Sequence, residues 1–179
     1  MEKRIKIKNP FEWDQNGCFG CGPANSAGLK LSFEESEGHL HAEWIPIPEY
    51  QGYINVIHGG IIATLLDEIG AWCVYVKGGT SAVTSVMTVR YLKPVYINRG
   101  KITLDAAIVS RDGKSARLLC RLFDGGGMHC AEADIDYFLY PEDVARKRYY
   151  YPGREAFYYN DQQAGISEDE PQECPPVSM

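Results

Sequence analysis

The chain has 179 residues, a formal net charge of −6, 45% hydrophobic and 23% charged residues, which suits one globular domain with a tail. An acidic balance excludes the basic surface that a nucleic-acid binder needs for phosphate contacts. No run of about 18 consecutive apolar residues offers a membrane span, and the basic start (Lys3, Arg4, Lys6, Lys8) lacks the apolar stretch of a signal peptide. The six cysteines are irregularly spaced and do not make a disulfide framework in a chain of this length, so the expected compartment is the cytoplasm.

Residues 1–28 read as an irregular lead-in, punctuated by Pro10, Gly17, Gly20, Gly22 and Pro23. Alternation over 29–33 predicts a strand, with 39–45 as its hairpin partner. The longest apolar segment follows, 59–76, where Ile62, Leu65, Leu66, Ile69, Cys73 and Val76 recur at helical spacing. Ile61, Ala63 and Trp72 make its other faces apolar too, which predicts an enclosed helix. Four strand-like runs come after Gly78-Gly79: 83–94, 101–110, 115–124 and 128–140, with a glycine-bearing hairpin signal at 111–114. In the last run Ala131, Ala133, Ile135, Tyr137 and Leu139 alternate with Glu132, Asp134 and Asp136, giving one buried face and one wet acidic face.

One apolar helix wrapped by an antiparallel sheet of five to six strands is an α+β arrangement, with its domain at 29–140. Residues 141–179 are then an arm and a tail. The arm carries Tyr149, Tyr150, Tyr151, Tyr158 and Tyr159, and is expected to pack on the surface. The end, 167–179, has the acidic, proline-bearing composition of a disordered segment.

Two features carry chemistry. His58-Gly59-Gly60 opens the helix, and glycines at a helix start leave backbone N–H groups unpaired and unshielded. Those donors and the positive end of the helix dipole favour a negative oxygen, as the oxyanion of acyl transfer requires. The plain alternative is a tight turn in which glycine simply fits. The second feature is Asp67, followed by Glu68, inside the apolar helix. An enclosed carboxylate is costly unless paired or used, and burial raises its pKa toward general-base work; the alternative is a helix rolled so that one acid meets solvent. Gly60 and Asp67 are seven residues apart, roughly 10 Å along a helix. If both serve one reaction, they come from two subunits about a two-fold axis.

At these residues the sequence resembles the hotdog-fold acyl-CoA thioesterases, in particular their phenylacetate-pathway-like branch. The resemblance covers about 28–139. It rests on the run from His58 through Glu68, on 84–94 with its Val89-Arg90-Tyr91-Leu92-Lys93-Pro94 ending, and on Cys18-Phe19-Gly20-Cys21-Gly22 with Asn25 and Gly28-Leu29. It implies a hotdog fold and hydrolysis of a small or medium acyl-CoA by a homodimer or a dimer of dimers. Asp67 would be general base or nucleophile, and the Gly59 and Gly60 amides the oxyanion hole. His58 would orient the loop or touch the thioester, and Thr84 would help to place the water. No metal or redox cofactor is implied, coenzyme A being part of the substrate. Relatives often carry a polar residue and a glycine where this chain has Gly52 and Asn55. Asparagine tolerates left-handed geometry, and Gln51 is the neighbouring amide able to take over the polar role. Glu68 is a further substrate-side carboxylate.

The remaining residues have plainer readings. Cys18 and Cys21 share C-x-x-C spacing, but no second cysteine or histidine pair completes a tetrahedral zinc site. Cys73, Cys120 and Cys130 read as core, and His39 and His41 as surface residues. Trp72, Tyr75, Tyr53 and Met87 are expected to shape the acyl pocket. Two other functions fit the pattern less well. A non-catalytic acyl-CoA sensing module needs no base, and the fold's dehydratases and hydratases place their histidine and acid at a different spacing.

Overall fold

In the computed structural model, which describes residues 3–11 and 16–159, the apolar segment after His58 is a long helix under one face of a seven-stranded sheet. Helix α1 spans Gly59–Cys73, and a π-helical turn, Val74–Gly78, extends it until Gly79 ends it with a φ of 69°. By length and composition Gly59–Gly78 would suffice to cross a membrane, but here one face packs on the sheet and half of the segment is buried. The helix is thus covered on one side rather than enclosed as expected. Ile62, Leu65, Leu66, Ile69, Trp72 and Cys73 are buried, each large side chain stabilising the fold by about 1.5–3 kcal/mol. Asp67 and Glu68 are both half-buried.

The strands are β1 (Ile5–Ile7), β2 (Ser32–Ser36), β3 (His39–Trp44), β4 (Ala82–Tyr91), β5 (Ile102–Arg111), β6 (Ser115–Phe123) and β7 (His129–Leu139). Every pairing is antiparallel, in the order β1-β2-β3-β5-β6-β7-β4. Three hairpins account for most of this order. The exception is β4, which α1 carries across to the far edge, where it pairs only with β7. The alternation expected for β7 holds, with Ala131, Ala133, Ile135, Tyr137 and Leu139 buried and the acids between them more open.

Three differences from the sequence reading have local causes. The strand expected at 29–33 starts at Ser32, because Lys30 adopts a left-handed φ of 54° that breaks an extended run. The lead-in contributes β1, whose three residues are too few to show a period. The arm beyond Pro141 packs on the surface as expected, but it also sends two aromatic side chains into the core. After helix α2 (Glu142–Tyr149) the chain turns through left-handed Tyr150 and buries Tyr151 and Phe157. Phe157 meets Phe11, Trp72, Tyr75 and Tyr151 in one aromatic cluster. The segment 167–179 lies outside the described residues.

Candidate active site

Asp67 sits in the third turn of α1, facing the β4–β7 edge. Its Oδ1 accepts from Thr84 Oγ1 at 2.7 Å and from Tyr137 Oη at 3.3 Å, while the same phenol donates to the Asp67 carbonyl at 2.9 Å. Thr84 and Tyr137 are cross-strand partners, and the register of β4 shifts just after Thr84; a bulge of this kind re-aims side chains beside functional sites. Burial, and then the Asp67 charge, hold the Tyr137 phenol far above its ordinary pKa, so it remains a donor. Among the described residues, no side chain or amide is paired with Oδ2. The carboxylate is thus oriented through one oxygen and open through the other.

The helix start is built by His58. It is the N-cap, with φ −61° and ψ 135°, and its Nδ1 accepts from the Gly60 amide at 2.9 Å. Since Nδ1 accepts, a neutral ring carries its proton on Nε2. The Gly60 amide, expected as an oxyanion donor, is therefore occupied by His58. The Gly59 amide has no acceptor within the chain among the described residues, and its carbonyl accepts from Tyr91 Oη at 2.9 Å. The preceding loop holds this start in place. Asn55 has the left-handed conformation anticipated for it, φ 61°. Its amide donates to Gln51 Oε1 at 3.2 Å, and its Oδ1 accepts from the Asn98 amide at 3.1 Å. Gln51 thus braces the loop, and Gly52 lies against His58, where an added Cβ would come within 3.3 Å of the His58 Cα.

Glu68 lies elsewhere. Successive residues on a helix are about 100° apart, and Glu68 points to the lead-in, where Trp72 Nε1 donates to its Oε1 at 3.1 Å and Cys18 Sγ lies 3.7 Å from the same oxygen. Burial pushes its carboxyl up to about 7. The structure therefore brings Asp67 and Thr84 together, places His58, Gly59, Gly60, Asn55 and Gln51 at the helix start, and separates Glu68 from both groups. Tyr137 is the residue the sequence reading did not single out. Trp72 and Tyr75, expected to shape a pocket, are packed into the aromatic cluster, whereas Tyr53 is 85% exposed.

Comparison with known proteins agrees with this architecture. Residues 54–131, from the loop before α1 into β7, match the family model of the thioesterase superfamily. No curated protein matches the chain by sequence. Among solved structures, a thioesterase superfamily protein aligns with a TM-score of 0.63 and 23% identity over 70% of this chain, which spans 61% of that protein's length. The Escherichia coli PaaI protein of the phenylacetic acid degradation operon aligns at 0.58 and 17% identity, over 64% of this chain and 82% of its own. A Bacillus halodurans protein solved with CoA aligns at 0.51 and 27% identity, over 55% and 70%. With the family model matching the central helix and most of the sheet, and these folds superposing on the chain, the protein has the hotdog fold and resembles the thioesterase superfamily.

Proposed function

We propose that the protein hydrolyses an acyl-CoA thioester, with Asp67 as general base on water. The observation that carries this reading is the Asp67 carboxylate itself, fixed through Oδ1 by Thr84 and Tyr137 and open at Oδ2. In the step, Oδ2 takes a proton from water as the water oxygen bonds to the thioester carbonyl carbon. The oxyanion forms at the helix start, on the Gly59 amide and on the Gly60 amide once the His58 ring turns away to admit the carbonyl. Collapse breaks the C–S bond, coenzyme A leaves as thiolate, and the proton held by Asp67 returns to it. Direct attack by Asp67 on the same carbon is the nucleophilic variant. The match to the thioesterase superfamily model and the CoA bound to the similar Bacillus halodurans protein support the choice of substrate.

The helix start and Asp67 are separated by roughly 10 Å of helix, so the site is proposed to form between two copies. The support lies in β4, whose outer edge has no partner strand among the described residues, and in the exposed apolar residues nearby, Val86 at 56% and Ile54 at 91%. An open apolar edge of ten residues invites pairing with a second chain.

A thiol-release assay on a panel of acyl-CoA esters, with wild type beside Asp67→Asn, tests the reading. Turnover that falls more than about a hundredfold in the mutant is expected. Undiminished turnover would transfer the role from Asp67 to another group. Tight CoA-ester binding without turnover would make the protein a sensing module.

A further inference from the structure

The C-x-x-C pair lacked further ligands in the sequence, and the fold supplies one. Glu68, fifty residues on from Cys18, brings its carboxylate against the lead-in, and a sulfur of Cys18, a sulfur of Cys21 and a Glu68 oxygen all lie within 4.8 Å of one another. We propose that Cys18, Cys21 and Glu68 bind one divalent metal ion of the zinc class, with solvent completing the tetrahedron on the exposed side of Cys18. Two thiolates and a carboxylate are a donor set that suits zinc.

The spacing fits such an ion. With metal bonds of about 2.3 Å to sulfur and about 2.0 Å to oxygen, a tetrahedral S–O edge is about 3.5 Å. Cys18 Sγ stands 3.7 and 3.8 Å from the two Glu68 oxygens. In the metal-free chain these separations serve a thiol–carboxylate hydrogen bond, and they are close to that edge. The backbone is shaped for the same purpose. The Gly22 amide donates to the Cys18 carbonyl at 2.9 Å, closing a tight knuckle. A Cβ on Gly20 would fall 2.2 Å from the Glu68 carboxyl carbon, and one on Gly22 would fall 2.4 Å from the Cys18 amide nitrogen. Only glycine lets the loop approach this closely. Bonds from Leu29 to the Phe19 carbonyl (2.7 Å) and from Leu31 to the Gly20 carbonyl (3.0 Å) hold the knuckle in register.

Charge points the same way. Glu68 is half-buried, and among the described residues no lysine, arginine or histidine pairs with it. A cation there offsets the cost of enclosing a carboxylate beside two sulfurs. On binding, the two thiols release their protons to solvent and the metal takes both thiolates. The ion then ties the lead-in to α1 one residue past Asp67. This holds whether or not the thioester reading is right, because it is measured without substrate.

The test uses the tag-free full chain, reduced and stripped with a chelator, then titrated with Zn2+ against a chromogenic indicator, with bound metal counted by mass spectrometry. One zinc per chain is expected. Affinity should fall about a hundredfold or more in Cys18→Ser and Cys21→Ser and at least about tenfold in Glu68→Gln, while Cys174→Ser binds as wild type does. Should a cysteine variant fail to fold, Co2+ on the wild-type chain gives the answer, through a charge-transfer band with the intensity of two thiolates. Absence of bound zinc in the reduced wild type, or equal affinity in all folded variants, overturns the proposal. So does a reduced chain that refuses zinc but joins Cys18 to Cys21 on mild oxidation, which would make the pair a redox couple.

Discussion

Gly70 is the position where the packing of Asp67 can be tested most sharply. An ideal Cβ there would lie 2.5 Å from Tyr137 Oη, and 3.3 Å from both Cys120 Sγ and Ile135 Cδ1. In Gly70→Ala the helix gains about 1 kcal/mol from the better helix former. Against this stands overpacking of about 1–3 kcal/mol. Displacing the phenol from the Asp67 carbonyl leaves a buried hydroxyl without its partner, a further 1–3 kcal/mol, roughly. The expected net loss is about 3 kcal/mol, or a Tm lower by roughly 9 °C at about 3 °C per kcal/mol for a chain of this size. Tyr137→Phe alone removes the one hydroxyl proton shared between the Asp67 carbonyl and Oδ1 and should cost about 1 kcal/mol. In the double mutant the oxygen that the methyl strikes is gone, and only the two contacts at 3.3 Å remain. Its loss should therefore be well below the sum of the singles, a favourable coupling of about 2 kcal/mol. Urea unfolding of all four proteins measures this cycle. Additivity within about 0.5 kcal/mol would refute the contact, and with it the placement of Tyr137 over the Asp67 turn.

Two further expectations concern stability alone. Phe157→Ala should destabilise the protein by about 3–5 kcal/mol in the same unfolding assay, since Phe157 is fully buried against Trp72 and Tyr75; a loss under about 1 kcal/mol would show that the arm is no part of the core. Asp124 is held below its ordinary pKa of 3.8 by the Arg99 guanidinium at 2.7 Å and by the Met128 and Gly126 amides. A depressed folded value means that its contribution is present above pH 3.8 and is lost as pH falls through that lower value. Asp124→Asn should flatten the acid limb of stability below that pH, and an unchanged limb would dissociate Asp124 from acid unfolding.

What could be read in the sequence was local. The helix was expected at 59–76 and runs Gly59–Gly78 with its π turn, and β5, β6 and β7 fall within a residue or two of their expected bounds. Period and turn chemistry are set by near neighbours, so they survive without tertiary knowledge. Asn55 also behaved as its chemistry implied, because a left-handed φ is a property of the residue and its loop. The misses are contacts between distant segments. Three-residue β1 is a strand only because β2 lies beside it, and Phe157 is core only because α1 and Phe11 meet it. Tyr137 did leave a signal. A tyrosine on a strand face otherwise made of Ala, Ile and Leu has a hydroxyl that must find a partner once buried, and seventy residues back that partner is Asp67.

The two consecutive acids show how the fold assigns unlike chemistry to like residues. Asp67 and Glu68 share one helix and half-burial, and in the sequence either could be the base. The 100° turn between neighbours sends Asp67 to the sheet edge, where two hydroxyls meet one of its oxygens. It sends Glu68 to a loop that presents two sulfurs and an indole N–H. Hydroxyl donors orient a carboxylate and leave it open to water; sulfurs at metal-binding distance give it a different role. On the proposed reading the shorter acid takes the proton at the edge, while the longer one reaches out from the helix to the knuckle.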